Sequence, residues 1–493
     1  MAFSKAVARA LILAGIACGL APALCAVAPS RSMPALSEPQ RAAARANAKL
    51  GRLDETTTSA RSRIYQFVLQ NGLAVVVVPD LKAPRVTQML WYRVGADDDP
   101  PGYSGLANFL ERMMFRGTKA LPGHGFARTV ASNGGIAGGF TTHDYTTYYE
   151  QVPPGRLRLV MGLEADRMSD LDPTDASVRR ERKLLLRDRR NDVGRNAQAL
   201  LREQMAAALF LSHPYGKPVI GWSAGIRHID RHNLDDFYVR HYAPNNAILI
   251  VAGDVTADEV RADAEASFGK LTARQLPPRA EHTQPPRLGP TTLWIHSRYT
   301  HHRLLARAYR VVSYPDARPG QAEALDVLAQ ILGGDDRAEL YRDLVVRDRL
   351  AEDAAASYAG MCRDDGTFRI YAVPRPGVSL RRLDRAVTAL IARLGRTRIS
   401  PRSLARAKAA LLAEAAARRG SEFAQAKAYG QALAIGLTVQ DVRNWPARIK
   451  RVRAREVARA AARELVPAQS VTGYLLPATV AGGALRRTRS PRP

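Results

Sequence analysis

The sequence predicts an α+β protein of two domains, each an antiparallel-rich sheet with helices packed on one face. Three observations carry that prediction. Short apolar runs that read as strands occur in both halves, around 73–78 and 304–309. Long helix-forming runs follow them, such as 401–418 behind the capping residue Ser400. A proline-rich break, with Pro277-Pro278 and Pro285-Pro286, divides the chain near its middle.

Residues 1–28 read as a secretory signal peptide. Lys5 and Arg9 charge its start, the apolar run 10–24 is too short to span a bilayer comfortably, and small residues up to Ala26 and Ala28 offer cleavage sites. Cys18 and Cys25 raise a lipoprotein alternative, but neither sits in a fitting lipobox. Residues 29–63 form an Ala/Ser/Pro/Thr-rich extension with one short helical run near 39–50. The first domain spans 64–271 and opens on a hairpin whose turn is Asn71-Gly72. Residues 272–290 read as an extended linker. The second domain spans 291–477, with strands near 292–295 and 304–309 and helices near 320–332 and 401–418. The tail 478–493 is Gly/Arg/Pro/Ser-rich and reads as disordered. Either domain is large enough for its own core.

These features place the mature protein outside the cytoplasm, in a periplasm, with no transmembrane segment. Cleavage of the signal leaves Cys362 as the one cysteine, so no internal disulfide can form. The formal charge is +27, from 73 Lys and Arg against 46 Asp and Glu. The excess is spread over helices, and aromatic residues make up 6% of the chain, so no nucleic-acid module is indicated.

Residues 105–118 are the most informative stretch. An H-x-x-E-H helix puts two imidazoles on one face with a glutamate that deprotonates a zinc-bound water. This chain has N-x-x-E-R: Asn108, Glu111 and Arg112. Glu111 occupies the general-base position as a vestige. Asn108 and Arg112 occupy ligand positions, and arginine offers a metal no lone pair.

The segment continues into Gly117-Thr118, and further matches are the 69–78 hairpin, Asn133-Gly134-Gly135, Phe140-Thr141-Thr142, His213-Pro214-Tyr215 and Tyr242-Ala243-Pro244. On these residues the chain resembles the pitrilysin/insulinase family of inverted-motif zinc peptidases, from about 64 to 477. The resemblance implies two homologous domains forming half of a clamshell. It also implies a third ligand on a later helix, in an E-R-x-x-x-x-x-E frame. That frame begins here at Glu181-Arg182 and ends at Asp188, 76 residues after Arg112. All three ligand positions depart from the family, so its zinc is not expected here and no other cofactor is implied. By the same resemblance, Phe140 and Thr141 lie on the edge strand along which peptides pair, and Arg347 stands where the second domain contributes a substrate-binding arginine. Gly138-Gly139 replace the usual Asn-Ala pair, and Ala354 stands where the family's helper tyrosine would be.

No replacement metal set is visible. His228 and His232 are four apart but flanked by arginines before a capping Asn233; His301-His302 would face opposite ways on a strand; His143 reads as a cleft or surface residue. The implied function is a non-catalytic subunit that shapes a peptide-processing chamber beside a zinc-bearing paralogue, with peptides as ligands. The alternatives are a zinc endopeptidase with atypical ligands and a solitary peptide-binding protein.

Overall fold

The computed structural model describes residues 63–478 except 82, 83, 286, 288, 397 and 398. The expected signal peptide, the extension to residue 62 with its helical run near 39–50, and the tail from 479 lie outside the described residues.

Eleven described strands form two sheets. The first comprises β1 (Tyr65–Val68), β2 (Ala74–Pro79), β3 (Val86–Tyr92), β4 (Ile136–Thr141), β5 (Thr146–Val152) and β6 (Ala247–Gly253), in the order β1-β2-β6-β3-β5-β4. The second comprises β7 (Thr291–Ser297), β8 (Leu304–Val311), β9 (Ala351–Ala359), β10 (Gly366–Pro374) and β11 (Ser470–Pro477), in the order β7-β11-β8-β10-β9. Each sheet has one parallel pair, β2 with β6 and β7 with β11, and is antiparallel elsewhere. Leaving out β1, the two strand orders and senses superpose, so the halves are one α+β plan used twice.

Local chemistry sets the opening hairpin. Gly72 adopts φ +86, a left-handed conformation that glycine enters without a Cβ clash. The Asn71 amide donates to the carbonyls of Phe268 and Leu271, which ties the turn to the end of the first half. β2 reads Ala-Val-Val-Val-Val-Pro, and its first five residues are buried. An unbroken apolar run suits a strand covered on both faces.

What covers the second face was not visible in the sequence. On one face of each sheet the half's own helices build a core. On the other face the halves exchange helices. Helix Glu422–Ala434, from the second half, packs on β3 and β6 of the first sheet. Helix Ala197–Leu209, from the first half, packs on β11, β7 and β8 of the second. Both contacts close over a glycine. A Cβ on Gly430 would lie 2.1 Å from the Trp91 indole, and one on Gly473 2.6 Å from Leu201 Cδ1.

Two smaller expectations are corrected. His301 and His302 lie in the turn before β8 rather than on a strand. The cap of helix Arg231–His241 is Asp230; Asn233 is the third helical residue and completes a capping box with it.

Candidate active site

The motif helix, Leu106–Met113, begins at Gly105 in a left-handed turn (φ +94) pressed against the backbone of Ile220 and Gly221. Asp99 caps it: one carboxylate oxygen accepts from Gly105 N at 2.6 Å and the other from Ala107 N at 2.8 Å. Burial raises the Asp99 carboxyl to about 7 against the pull of those two N–H groups. This cap escaped the sequence reading, although three consecutive aspartates shortly before a helix were its signal.

The helix places Asn108, Glu111 and Arg112 together, facing β4 and the later helix Asp175–Arg189. The Glu111 carboxylate is buried. One of its oxygens accepts from the Thr141 hydroxyl at 2.8 Å and from the Asn108 amide at 3.0 Å. Burial pushes this carboxyl up to about 7; the hydrogen bonds from Thr141 and Asn108 and the charge of Arg112 pull the other way.

Arg112 points at the helix that carries Glu181 and Asp188. Its Nε donates to Glu181 at 2.6 Å and its Nη2 to Asp188 at 2.7 Å. Arg116, one turn on, adds a second guanidinium to Glu181. Burial works against the Arg112 charge, and the two carboxylates overcome it and hold its pKa above the ordinary value. The residues therefore do not fit a zinc ion. Asp188, at the third ligand position, is committed to Arg112, and the residue at the second position is a cation. Asn108, at the first, is committed to Glu111.

Below the site lies a fully buried arginine, also missed from sequence. Arg167 pairs with Glu164 and, at 3.5 Å, with Glu150, and its guanidinium lies 3.9 Å from the Phe126 ring centroid. A buried charge survives when it is paired in this way.

The structure divides the expected peptide-binding residues. β4 is the edge of the first sheet, as expected. Thr141 faces Glu111, whereas Phe140, on the opposite face of the strand, meets Trp91 edge-on at 5.9 Å and lies 5.1 Å below the Lys427 ammonium. Gly138 leaves the space that the Tyr149 ring fills, since a Cβ there would lie 2.5 Å from its hydroxyl. Arg347 is exposed and pairs with Asp343 and Asp348 in its own half.

His143 is half-buried, with Nε2 2.8 Å from the Lys217 carbonyl. Among the described residues, Asp97, His213 and Asp364 bring potential ligand atoms together where the linker meets both halves. His213 Nδ1 accepts from Tyr215 N, which assigns its proton to Nε2, 3.2 Å from Asp364. Arg363 sits between Asp97 (3.1 Å) and Asp364 (2.9 Å). The cluster is an ion-paired joint, with no free imidazole lone pair for a metal.

Comparison with known proteins gives a consistent result. Two family models match in tandem: Insulinase (Peptidase family M16) over residues 74–222, and Peptidase M16 inactive domain over 228–411. The zinc protease PqqE of Helicobacter pylori is 28% identical over 337 residues, covering 67% of this chain and 74% of the relative. An uncharacterised zinc protease of Mycobacterium leprae is 31% identical over 327 residues, covering 65% of this chain and 71% of the relative. The crystal structure of a protease from Helicobacter pylori aligns with a TM-score of 0.78 at 26% identity, covering 84% of this chain and all (100%) of that one. An M16 inactive-domain protein of Pseudomonas fluorescens shares the fold, with a TM-score of 0.75 at 18% identity over 84% of this chain and 98% of that one.

Proposed function

Because the chain belongs to the insulinase (M16) family of peptidases, we propose that it is a non-catalytic member that forms half of a peptide-processing chamber beside a zinc-bearing paralogue. One observation carries this reading. The Arg112 guanidinium bridges Glu181 and Asp188 at 2.6 and 2.7 Å, so a fixed organic cation neutralises the acidic pair. Without a metal, Glu111 has no polarised water to deprotonate. The scaffold around it is retained: the capped motif helix, the edge strand and the repeated two-sheet plan.

In this reading the chain supplies shape and positive potential, and the paralogue supplies the metal. The protein is exported and acts in the periplasm. Among the described residues no helix is long and apolar enough to cross a membrane.

The test is purification of the full chain with and without a co-expressed H-x-x-E-H relative, with elemental analysis and peptide cleavage on each sample. Co-elution on size exclusion, with cleavage confined to the complex or enhanced by it, is the expected result. Separate elution at micromolar concentration beside a fully active relative counts against the subunit role and leaves a solitary peptide-binding protein. Stoichiometric zinc in the isolated chain, abolished by Asp188→Ala, would establish an enzyme with atypical ligands.

A further inference from the structure

Among the described residues, the second sheet ends on a strand with no further strand beyond it, β7, and the repeated plan shows what belongs there. Its counterpart in the first half, β2, pairs in parallel with β6 on one side and antiparallel with β1 on the other. β7 has the parallel partner, β11, and nothing in place of β1. The consequence is visible at one residue. In the first sheet Phe67 of β1 stands beside Val75 of β2, and both are buried in the core. In the second sheet Trp294 of β7 stands beside Tyr474 of β11, with ring centroids 4.3 Å apart, and its open flank leaves it 47% exposed.

Natural sheet edges are kept from pairing by shortness, glycine or proline, bulges or charge. The other three strands that end the two sheets follow this rule: β1 has four residues, β4 contains Gly138-Gly139, and β9 carries Glu352 and Asp353. β7 reads Thr-Thr-Leu-Trp-Ile-His-Ser, seven residues without Asp, Glu, Lys, Arg, Pro or Gly. Leu293 and Ile295 pack toward helix Ala197–Leu209, whereas Thr292, Trp294 and His296 are exposed. Such an edge keeps a row of backbone donors and acceptors for one more strand. Cations stand at its start, middle and end. Arg287 reaches the Thr291 hydroxyl, Arg381 lies 5.7 Å from the Trp294 ring centroid, and Arg298 lies 5.0 Å from that of the exposed Tyr299. Asp384, on the same helix as Arg381, is already paired with Arg307. A second copy of the chain would set these cations against themselves, each chain carrying a formal +27, whereas an acidic strand would complement them.

We propose that β7 is a docking edge for an extended acidic segment of a partner protein, which joins the second sheet as an antiparallel strand. The ladder supplies the main attraction, an apolar side chain of the partner covers Trp294 as Phe67 covers Val75, and carboxylates beside it meet Arg381 and Arg298. None of these residues belongs to the motif site or to the edge strand β4.

The experiment titrates the full chain, at low salt, into three labelled peptides followed by fluorescence anisotropy. The peptides share an alternating Val-Thr core and differ in flanks of Glu, Gln or Lys. Wild type is expected to bind the Glu-flanked peptide about tenfold more tightly than the Lys-flanked one, with the Gln-flanked peptide between them. W294K should weaken binding of the Glu-flanked peptide several-fold. The double variant R298E/R381E should reverse the order, so that the Lys-flanked peptide binds best, a result that loss of fold cannot produce. All three positions are exposed, so Tm should stay at the wild-type value. Equal binding of the three peptides, an order unchanged in R298E/R381E, or no binding to wild type at millimolar peptide overturns the proposal. A dimer of the isolated chain in sedimentation, dissolved by W294K, would overturn it too by giving the edge to a second copy.

Discussion

Arg112 and Asp188 lie 76 positions apart in the chain and meet through a 2.7 Å ion pair, the two residues standing at ligand positions of a zinc peptidase frame. At positions that the family resemblance gives to two ligands, this cation and this anion tie the two helices together.

Arg112→Ala is therefore expected to destabilise the protein by about 3–5 kcal/mol, the range for breaking a buried ion pair from one side. Glu181 has a fully buried side chain and would keep Arg116 alone. Urea denaturation followed by circular dichroism measures it. A loss under about 1 kcal/mol would mean that Arg116 compensates.

The frame itself is tested by restoring the ligands. Asn108→His, Arg112→His and Asp188→Glu together are expected to bind close to one equivalent of zinc by elemental analysis, with the unmodified chain binding none at this position. If the triple variant folds without acquiring zinc, the two helices have drifted from ligand geometry.

Glu111 gives a pH signature. Its carboxyl titrates near 7 in the fold against 4.5 as a free side chain, so between those values the folded state holds a proton that the unfolded state has released. Folding stability should then fall as pH rises from 4.5 to 7 and level off above it. Glu111→Gln removes this residue's share of that dependence and leaves the share of Asp99, whose carboxyl is raised in the same way. The variant should match wild type near pH 4 and exceed it at pH 8 by up to about 3 kcal/mol. Equal stabilities at pH 8 would show that the hydrogen bonds from Thr141 and Asn108 fully compensate for burial.

Gly430→Val and Gly473→Val probe the exchanged helices. Each adds bulk where a Cβ already collides, with the Trp91 ring or with Leu201 and Met205. Overpacking of this kind typically costs about 1–3 kcal/mol. The Gly430 variant should also shift tryptophan emission, since it displaces an indole that is fully buried. Unchanged emission and stability would place the helix further from the sheet than described.

The sequence disclosed what is local or periodic. The Asn71-Gly72 turn and the Ser400 cap were legible because turn chemistry and caps act over a few residues at a time, whereas the 76-residue spacing came from the family resemblance. Period 2 along β4 also held the information that Phe140 and Thr141 face opposite ways, although the two were grouped as one peptide-binding pair. Arg167 could not be read, because an arginine among charged neighbours looks like surface until its glutamates and rings are assembled around it. Arg347 is exposed and pairs with Asp343 and Asp348 in its own half. Helix Glu422–Ala434 belongs to the second half in sequence, and its Ala- and Gln-rich surface carries no mark of the sheet it covers.

That helix also fixes an order of events during biosynthesis. The first sheet's strands are all made by Gly253, but the Trp91 face stays bare until the ribosome has passed residue 434. For some 180 residues of synthesis an apolar strand surface would be open to mispairing, a hazard for any β-rich intermediate. The fold of the first half is therefore complete only once the second half has been made.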